Sequence, residues 1–250
     1  MKYRAVTECP FCGSNGPWDI ATQPISPEEA EVYERDENRY SFCHCGGHFQ
    51  NPVLTDATIE EFYRGTYRTI HPDLFQADKR AERIFPHLPR RIGSMLDVGC
   101  AAGALMRLAK ESGWRVAGVE PNENSKKQAE QFGSVYRDLA EVDKAFDLVS
   151  AVHVLEHVSD PLMFLRQLVA LARPGGEILI VVPYYNYRPP HLLAMGGKQI
   201  CSLFGRLGID DVEVIIYDPG NKQLRPDDEC AELPIVRAKT YMDVIAKARV

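Results

Sequence analysis

The chain has 250 residues, 45% of them hydrophobic and 26% charged, with 29 Lys and Arg against 35 Asp and Glu, for a formal net charge of −6. That length suits one full α/β domain with a small appendage and leaves too little chain for two large cores. The acidic balance disfavours a polyanionic partner, and the longest strongly apolar stretch, around Ile178 to Val182, is far short of the roughly 18 residues that cross a bilayer.

Residues 1–55 are rich in Cys, Pro, Gly and charge, with no sustained apolar period, as expected of a small module held by something other than a core. Residues 1–90 carry 10 Lys and Arg against 14 Asp and Glu, so they offer no basic face for RNA or DNA. The start, Met1 to Cys9, lacks an apolar run with a small-residue cleavage site, and a cytoplasmic location is the expectation. Residues 56–90 place apolar side chains at helical spacing over Thr58 to Arg64 and Phe75 to Phe85, predicting connecting helices that Pro86 and Pro89 end.

Residues 91–250 alternate short apolar runs with helical periods, the pattern of repeated βα units. Strands are predicted at Met95–Val98, Arg115–Glu120, Ser134–Arg137, Phe146–Val152 and Glu177–Val182, and helices at Leu105–Ser112, Ser125–Phe132 and Pro161–Ala172. After Pro183 come a Tyr- and Pro-rich loop, a helix over Gly197 to Leu207, and two strands, Val212–Tyr217 and Ile235–Tyr241, around a polar turn-rich stretch from Asp218 to Glu232. The expected fold is a doubly wound, Rossmann-like, mostly parallel seven-stranded sheet with a small N-terminal module, and residues 184–210 are expected to cover the site.

The sharpest chemical signal is Asp97-Val98-Gly99-Cys100-Ala101-Ala102-Gly103, between the first strand and its helix. Small residues there let the backbone approach a ligand at the carboxyl edge of the sheet. Glu120, at the end of the second strand, is placed to accept both hydroxyls of a ribose, which implies a nucleoside-containing cofactor. A dinucleotide site would want G-x-G-x-x-G and an anion at the helix start. Here Ala101 interrupts the glycines and Asp97 puts a carboxylate inside the motif, so a ligand with an amino group and a sulfonium centre is favoured over a pyrophosphate.

With Gly118-Val119-Glu120-Pro121, Phe146-Asp147-Leu148-Val149, Val154-Leu155-Glu156-His157-Val158-Ser159-Asp160-Pro161 and Leu171-Ala172-Arg173-Pro174-Gly175-Gly176 following in order, the chain from Ile92 to Pro183 resembles class I S-adenosylmethionine-dependent methyltransferases. The family usually has glycine where Ala101 stands. The resemblance implies that Asp97 and Gly99, with Cys100 and Gly103, hold the methionine end of S-adenosyl-L-methionine. It further implies that Glu120 and Pro121 hold the ribose, and Asp138 and Leu139 the adenine, with Val152 at the edge of the same crevice. An Asp after a strand is also a common helix cap.

Cys9-Pro10-Phe11-Cys12 and Cys43-His44-Cys45-Gly46-Gly47 supply four soft ligands of the kind zinc takes in a tetrahedron. The second knuckle is C-x-C, and Cys45-x₂-His48 leaves open a substitution of His48 for Cys43. Cys100 reads as a small residue for close approach, and Cys201 and Cys230 as buried thiols. This start, with Phe49-Gln50-Asn51-Pro52 and Phe62-Tyr63-Arg64-Gly65-Thr66-Tyr67, is similar to bacterial methyltransferases with an N-terminal zinc ribbon, many of which act in sugar, surface-polysaccharide or natural-product pathways. The resemblance implies a structural Zn2+ and no open coordination position.

His153 at the end of the fourth strand, His157 four residues on, and His191 after the fifth strand are the candidate catalytic residues. An alcohol acceptor must lose a proton, a task that suits imidazole, and His153 is the first choice because strand ends face the crevice. Glu156-His157 also has the chemistry of a divalent-ion pair, though two ligands do not make a site. Tyr184 to His191 presents aromatic faces suited to a polar, ring-bearing substrate or to packing beneath the loop. The expected function is methyl transfer to a small molecule, at oxygen. The rivals are an RNA methyltransferase whose zinc module grips nucleic acid and a non-catalytic zinc-module interaction protein.

Overall fold

A computed structural model describes residues 3–64, 77–187, 191–218, 223–226 and 242–250. The chain begins with β1 (Tyr3–Arg4), β2 (Asp19–Pro24), α1 (Pro27–Tyr33), β3 (Glu37–Phe42), β4 (His48–Gln50), β5 (Val53–Leu54), α2 (Asp56–Arg64) and α3 (Ala77–Ile84). It continues through β6 (Ser94–Val98), α4 (Ala104–Glu111), β7 (Arg115–Val119), α5 (Glu123–Ala129), β8 (Ser134–Tyr136), β9 (Phe146–Val152), α6 (Pro161–Leu171) and β10 (Ala172–Pro183). It closes with β11 (Leu193–Ala194), α7 (Gly197–Gly205), β12 (Val212–Asp218), β13 (Gln223–Pro226) and β14 (Asp243–Arg249).

The main sheet runs β13-β12-β14-β10-β9-β6-β7-β8. Strands β10, β9, β6, β7 and β8 are mutually parallel, while β14, β12 and β13 join antiparallel. Central β6 is buried along its whole length, as a strand covered on both faces must be. The chain crosses from β6 to β7 on one side and from β8 back to β9 on the other, so a topological switch point opens beside the carboxyl end of β6. Local chemistry agrees with this frame. Asn122 accepts the amide of Ser125 at 3.2 Å to start α5, and Asp160 accepts Met163 N at 2.9 Å to start α6, with Pro161 as the first helical residue.

Three expectations are adjusted. The stretch Ile235–Tyr241, expected as the last strand, lies outside the described residues, and the strand between β10 and β12 is Asp243–Arg249. Its Lys247 and Arg249 masked an otherwise apolar run, of which Val244, Ile245 and Ala246 are fully buried. Within the polar stretch after Asp218, β13 pairs with β12 and adds an eighth strand to the expected seven. Cys201, expected to be buried, is exposed, and Cys230 lies outside the described residues.

The amino-terminal residues fold differently from a module without a core. Strands β2, β3 and β4 form an antiparallel sheet that β11, from beyond the fifth parallel strand, completes in the order β11-β4-β3-β2. Phe11, Tyr33, Phe49, Val53 and Leu54 are buried in the same apolar cluster as Ile180, Leu193, Leu203 and Phe204. Gly47 makes room for one of these rings, since a Cβ there would lie 2.1 Å from Phe11 Cδ2. Burial at roughly 25 cal/mol per Å² of apolar surface therefore binds the two parts together, whatever the cysteines add. Among the described residues no helix is long and apolar enough to cross a membrane.

Candidate active site and cysteine cluster

The turn after β6 is built from left-handed backbone. Gly99, Ala101 and Gly103 have φ of 74°, 48° and 85°. Glycine is required at Gly99 on two counts, since a Cβ would also sit 2.4 Å from Val154 Cγ2. Gly99 N and Cys100 N both donate to Val119 O, at 2.8 and 3.1 Å, and tie the turn to the end of β7. Buried Cys100 fits because Gly118 opposite has no side chain; a Cβ there would stand 2.5 Å from Cys100 Sγ.

Two carboxylates flank this turn. Buried Glu120 accepts Ala101 N at 3.0 Å through one oxygen and Asn122 N at 2.8 Å through the other. Buried Asp97 accepts the Ser150 hydroxyl at 2.7 Å. Burial, opposed by that hydrogen bond and assisted by the negative charge of Glu120, pushes the Asp97 carboxyl up to about 7. Ser150 was absent from the sequence reading, although a hydroxyl inside the buried run Leu148–Val152 was a signal, because such a group needs a partner. Glu120 N donates to Tyr136 O at 2.9 Å, which sets Asp138 and Leu139 close to the Glu120 end of the crevice. Asp138 is exposed, and its carboxylate accepts Ala140 N at 2.9 Å as the cap of a single 3-10 turn over Leu139–Glu141. Pro121 and Val152 are half-buried at the strand ends.

The histidines fall into two settings. His153, at a positive φ of 55°, has Nδ1 at 3.5 Å from Glu156 Oε1 and Nε2 at 3.1 Å from Asp243 Oδ1. Asp243 is fully buried and its other oxygen accepts from Arg83 at 2.6 Å. Burial disfavours an imidazolium at His153, but the facing carboxylates of Asp243 and Glu156 outweigh it and hold the pKa above its ordinary value. His153 is thus clamped between carboxylates, a setting that its position at a strand end did not suggest. Asp243 carries no motif, and its partnership with a residue 90 positions away was not readable from the sequence.

His157 and His191 form the second setting, with ring centroids 4.8 Å apart in an edge-on contact. Glu156 and His157 lie in a 3-10 turn, Leu155–His157, directly after β9. Leu192 N donates to Glu156 O at 2.8 Å and brings His191 back against this turn. The His191 carbonyl in turn accepts from Tyr40 Oη at 2.8 Å and from Gln50 Nε2 at 2.9 Å, so the amino-terminal sheet fixes its position. One ligand atom from each of Glu156, His157 and His191 lies within 4.8 Å of the others. Burial would raise the Glu156 carboxyl, but the surrounding imidazoles of His157, His153 and His191 hold it down at about 2.

Cys9, Cys12, Cys43 and Cys45 are brought together, all four Sγ atoms within 4.8 Å of one another. Cys9 Sγ is 3.7 Å from Cys45 Sγ, and Cys12 Sγ is 3.6 Å from Cys43 Sγ. A tetrahedron with Zn–S bonds near 2.3 Å has edges of about 3.8 Å, which these two sulfur pairs match. His48 stands elsewhere: its Nδ1 bonds the Tyr187 hydroxyl, and burial lowers its pKa to about 4. The knuckle is wired to the crevice loop. Gln199 Nε2 donates to Cys45 O at 2.7 Å, and the Tyr185 hydroxyl lies 3.0 Å from Gly46 O and 2.8 Å from Gln199 Oε1. Of the aromatic segment, Tyr184, Tyr185 and Tyr187 are half-buried, and residues 188–190 lie outside the described residues.

Residues 60–219 match a family described as a methyltransferase domain. A ubiquinone biosynthesis O-methyltransferase of Parvibaculum lavamentivorans is 32% identical over 165 residues, which cover 58% of this chain and 63% of that protein. A tRNA U34 carboxymethyltransferase of Pseudoalteromonas translucida is 32% identical over 120 residues, 42% of this chain and 37% of that protein. The chain spans about half the length of the curated relatives it matches. The crystal structure of the magnesium protoporphyrin IX methyltransferase of Synechocystis PCC 6803 with bound SAM superposes with a TM-score of 0.55 at 16% identity, covering 80% of this chain and all of that one. At that identity the likeness is one of fold.

Proposed function

Because this chain belongs to the methyltransferase domain family, we propose that it transfers the methyl group of S-adenosylmethionine to an oxygen of a small, polar, ring-bearing acceptor. The observation that carries this reading is the pairing of the left-handed Gly99–Gly103 turn with two buried carboxylates, Asp97 and Glu120. A pyrophosphate would be repelled there, whereas an α-ammonium and a ribose diol are matched. Asp97 and the turn take the methionine end, Glu120 with Pro121 the ribose, and Leu139 with Asp138 the adenine. When bound, the cofactor supplies an electrophilic methyl group on sulfur. The acceptor oxygen would take that methyl as the sulfur leaves as a neutral thioether, and the acceptor proton would pass to solvent water.

The chain's own contribution is to orient the acceptor and exclude water. The half-buried tyrosines and the acidic balance of residues 1–90 suit an uncharged, hydroxyl-bearing ring of the sugar or natural-product kind better than a nucleic acid. His153, engaged on both nitrogens, serves as a positioning residue, and Glu156, His157 and His191 form the acceptor side. Cys9, Cys12, Cys43 and Cys45 would hold a structural zinc that keeps the Cys45–Gly46 knuckle on Tyr185 and Gln199.

Calorimetry tests the cofactor assignment. S-adenosylmethionine and its demethylated product should bind and NAD should not. Glu120→Ala should weaken binding by about 1.5 to 3 kcal/mol, the value of a charge-assisted hydrogen bond. Tight NAD binding with no affinity for either methionine-derived ligand would overturn the reading.

A further inference from the structure

We propose that Glu156, His157 and His191 form a site for a divalent transition-metal cation, separate from the four-cysteine cluster. One ligand atom of each lies within 4.8 Å of the others. Glu156 is 1% exposed, and neither of its carboxylate oxygens has a hydrogen-bond partner among the described residues. Two imidazole nitrogens, His153 Nδ1 and His157 Nε2, stand 3.5 and 3.6 Å from Oε1, beyond good hydrogen-bond length. A carboxylate this deeply buried is costly unless it is tightly paired or coordinates a metal.

A second observation concerns His191. Its Nδ1 is 3.1 Å from Asn186 O, a carbonyl that can only accept. Nδ1 therefore carries the proton, and Nε2 keeps the lone pair a metal needs. This is the outer-shell arrangement that orients ligating histidines. Main-chain bonds hold the same ring in place, because Leu192 N binds Glu156 O and the His191 carbonyl is anchored by Tyr40 and Gln50.

Two imidazoles and one carboxylate favour manganese, iron(II), cobalt or zinc over magnesium or calcium and leave coordination positions open. Glu156 lies two residues after Val154, whose side chain packs on the Gly99 turn, so those positions open at the cofactor end of the sheet. Resting on the O-methyl-transfer reading, the cation's role is to bind the acceptor hydroxyl and lower its pKa. The proton then passes to solvent water without a histidine base, since His157 and His191 are ligands and His153 is clamped.

The test needs neither cofactor nor acceptor. Protein already carrying zinc at its cysteines is titrated with Mn2+, and unbound Mn2+ is followed by its paramagnetic resonance signal. Wild type should take up one equivalent and melt at a higher temperature. Glu156→Gln and His191→Ala should each weaken uptake at least tenfold and lose the melting shift. His191 is half-buried and its side chain is outside the core, so His191→Ala preserves the test if Glu156→Gln fails to fold. Absence of Mn2+ and Co2+ uptake beyond the cysteine-bound equivalent, or equal uptake by His191→Ala, would overturn the site. Either result stands apart from S-adenosylmethionine binding, which calorimetry reads separately.

Discussion

On the proposed cofactor assignment, Asp97 should make affinity depend on pH in a direction its environment fixes. Its carboxyl is fully enclosed, beside Glu120, and its pKa is pushed up to about 7, so the free protein holds it protonated in mildly acidic solution. An α-ammonium pairs with the ionised form only, and binding must release a proton wherever Asp97 was protonated. With a free pKa of about 7, the ionised fraction rises roughly 15-fold between about pH 5.5 and 7, and affinity should rise by the same factor. Above that the gain levels off, as the ligand's own amino group loses its proton near pH 8. Calorimetry in two buffers of different ionisation enthalpy should detect about half a proton released per ligand at pH 7.

The stability of the free protein should move in the opposite sense. A carboxyl raised above its unfolded value contributes stability that is complete below about pH 4 and is lost as pH rises through about 7. At about 1.36 kcal/mol per unit, the loss is on the order of 4 kcal/mol. Asp97→Asn should therefore raise the melting temperature at pH 8 while removing cofactor binding. An affinity flat from pH 5.5 to 7, with no buffer-dependent enthalpy, would refute the reasoning.

Gly99→Ala should bind S-adenosylmethionine at least tenfold more weakly, because a positive φ and a Cβ 2.4 Å from Val154 Cγ2 both distort the turn; unchanged affinity by calorimetry would show that the turn adapts. The purified protein should carry about one zinc per chain by elemental analysis, and Cys12→Ser should lose it and melt in a single, lower transition, because Phe11 and Phe49 share the sheet domain's core. Metal-free protein in freshly reduced form would remove the zinc assignment. His153→Ala should cost about 3 kcal/mol in urea unfolding, since it leaves buried Asp243 and Glu156 without their shared partner. Because the His153 pKa is raised, its stabilisation is fully present below about pH 6.5 and fades as pH rises through the folded value, so the wild-type advantage should shrink in alkaline buffer.

What could be read from the sequence was local. The βα units announced themselves because each apolar run is bounded within a few residues by its own signal, such as Asp160-Pro161 before α6 or the glycines after β6. Asp97, Gly99 and Glu120 were legible for the same reason: backbone conformation and charge requirements are met by neighbours in the chain. The contacts that define the acceptor side are long-range. His191 meets Glu156 where β11 joins β4, through the pairs Leu193 to Phe49 and Ala194 to His48, and where Leu192 N binds Glu156 O. A two-residue strand has no period to detect, so nothing in the sequence marked it. Asp243 was missed for a related reason, since its strand begins with an acid and ends with Lys247, Ala248 and Arg249.

The same pairing changes what the amino-terminal residues are for. Were they a tethered lid, they would move against the sheet domain through a thin, polar interface. Here the boundary is apolar and continuous, with Phe11, Phe49, Leu193 and Phe204 in one cluster. The polar links across it, Gln199 to Cys45 O and Tyr40 to the His191 carbonyl, are specific to the knuckle and to the acceptor side. A shift of the knuckle relative to Gln199 would therefore pass through Tyr185 to the loop that carries His191 and not be absorbed at a hinge. On the proposed reading, the cysteine cluster is thus a geometric constraint on the acceptor side of the crevice, placed at the opposite end of the four-residue link formed by Cys45, Gly46, Gln199 and Tyr185.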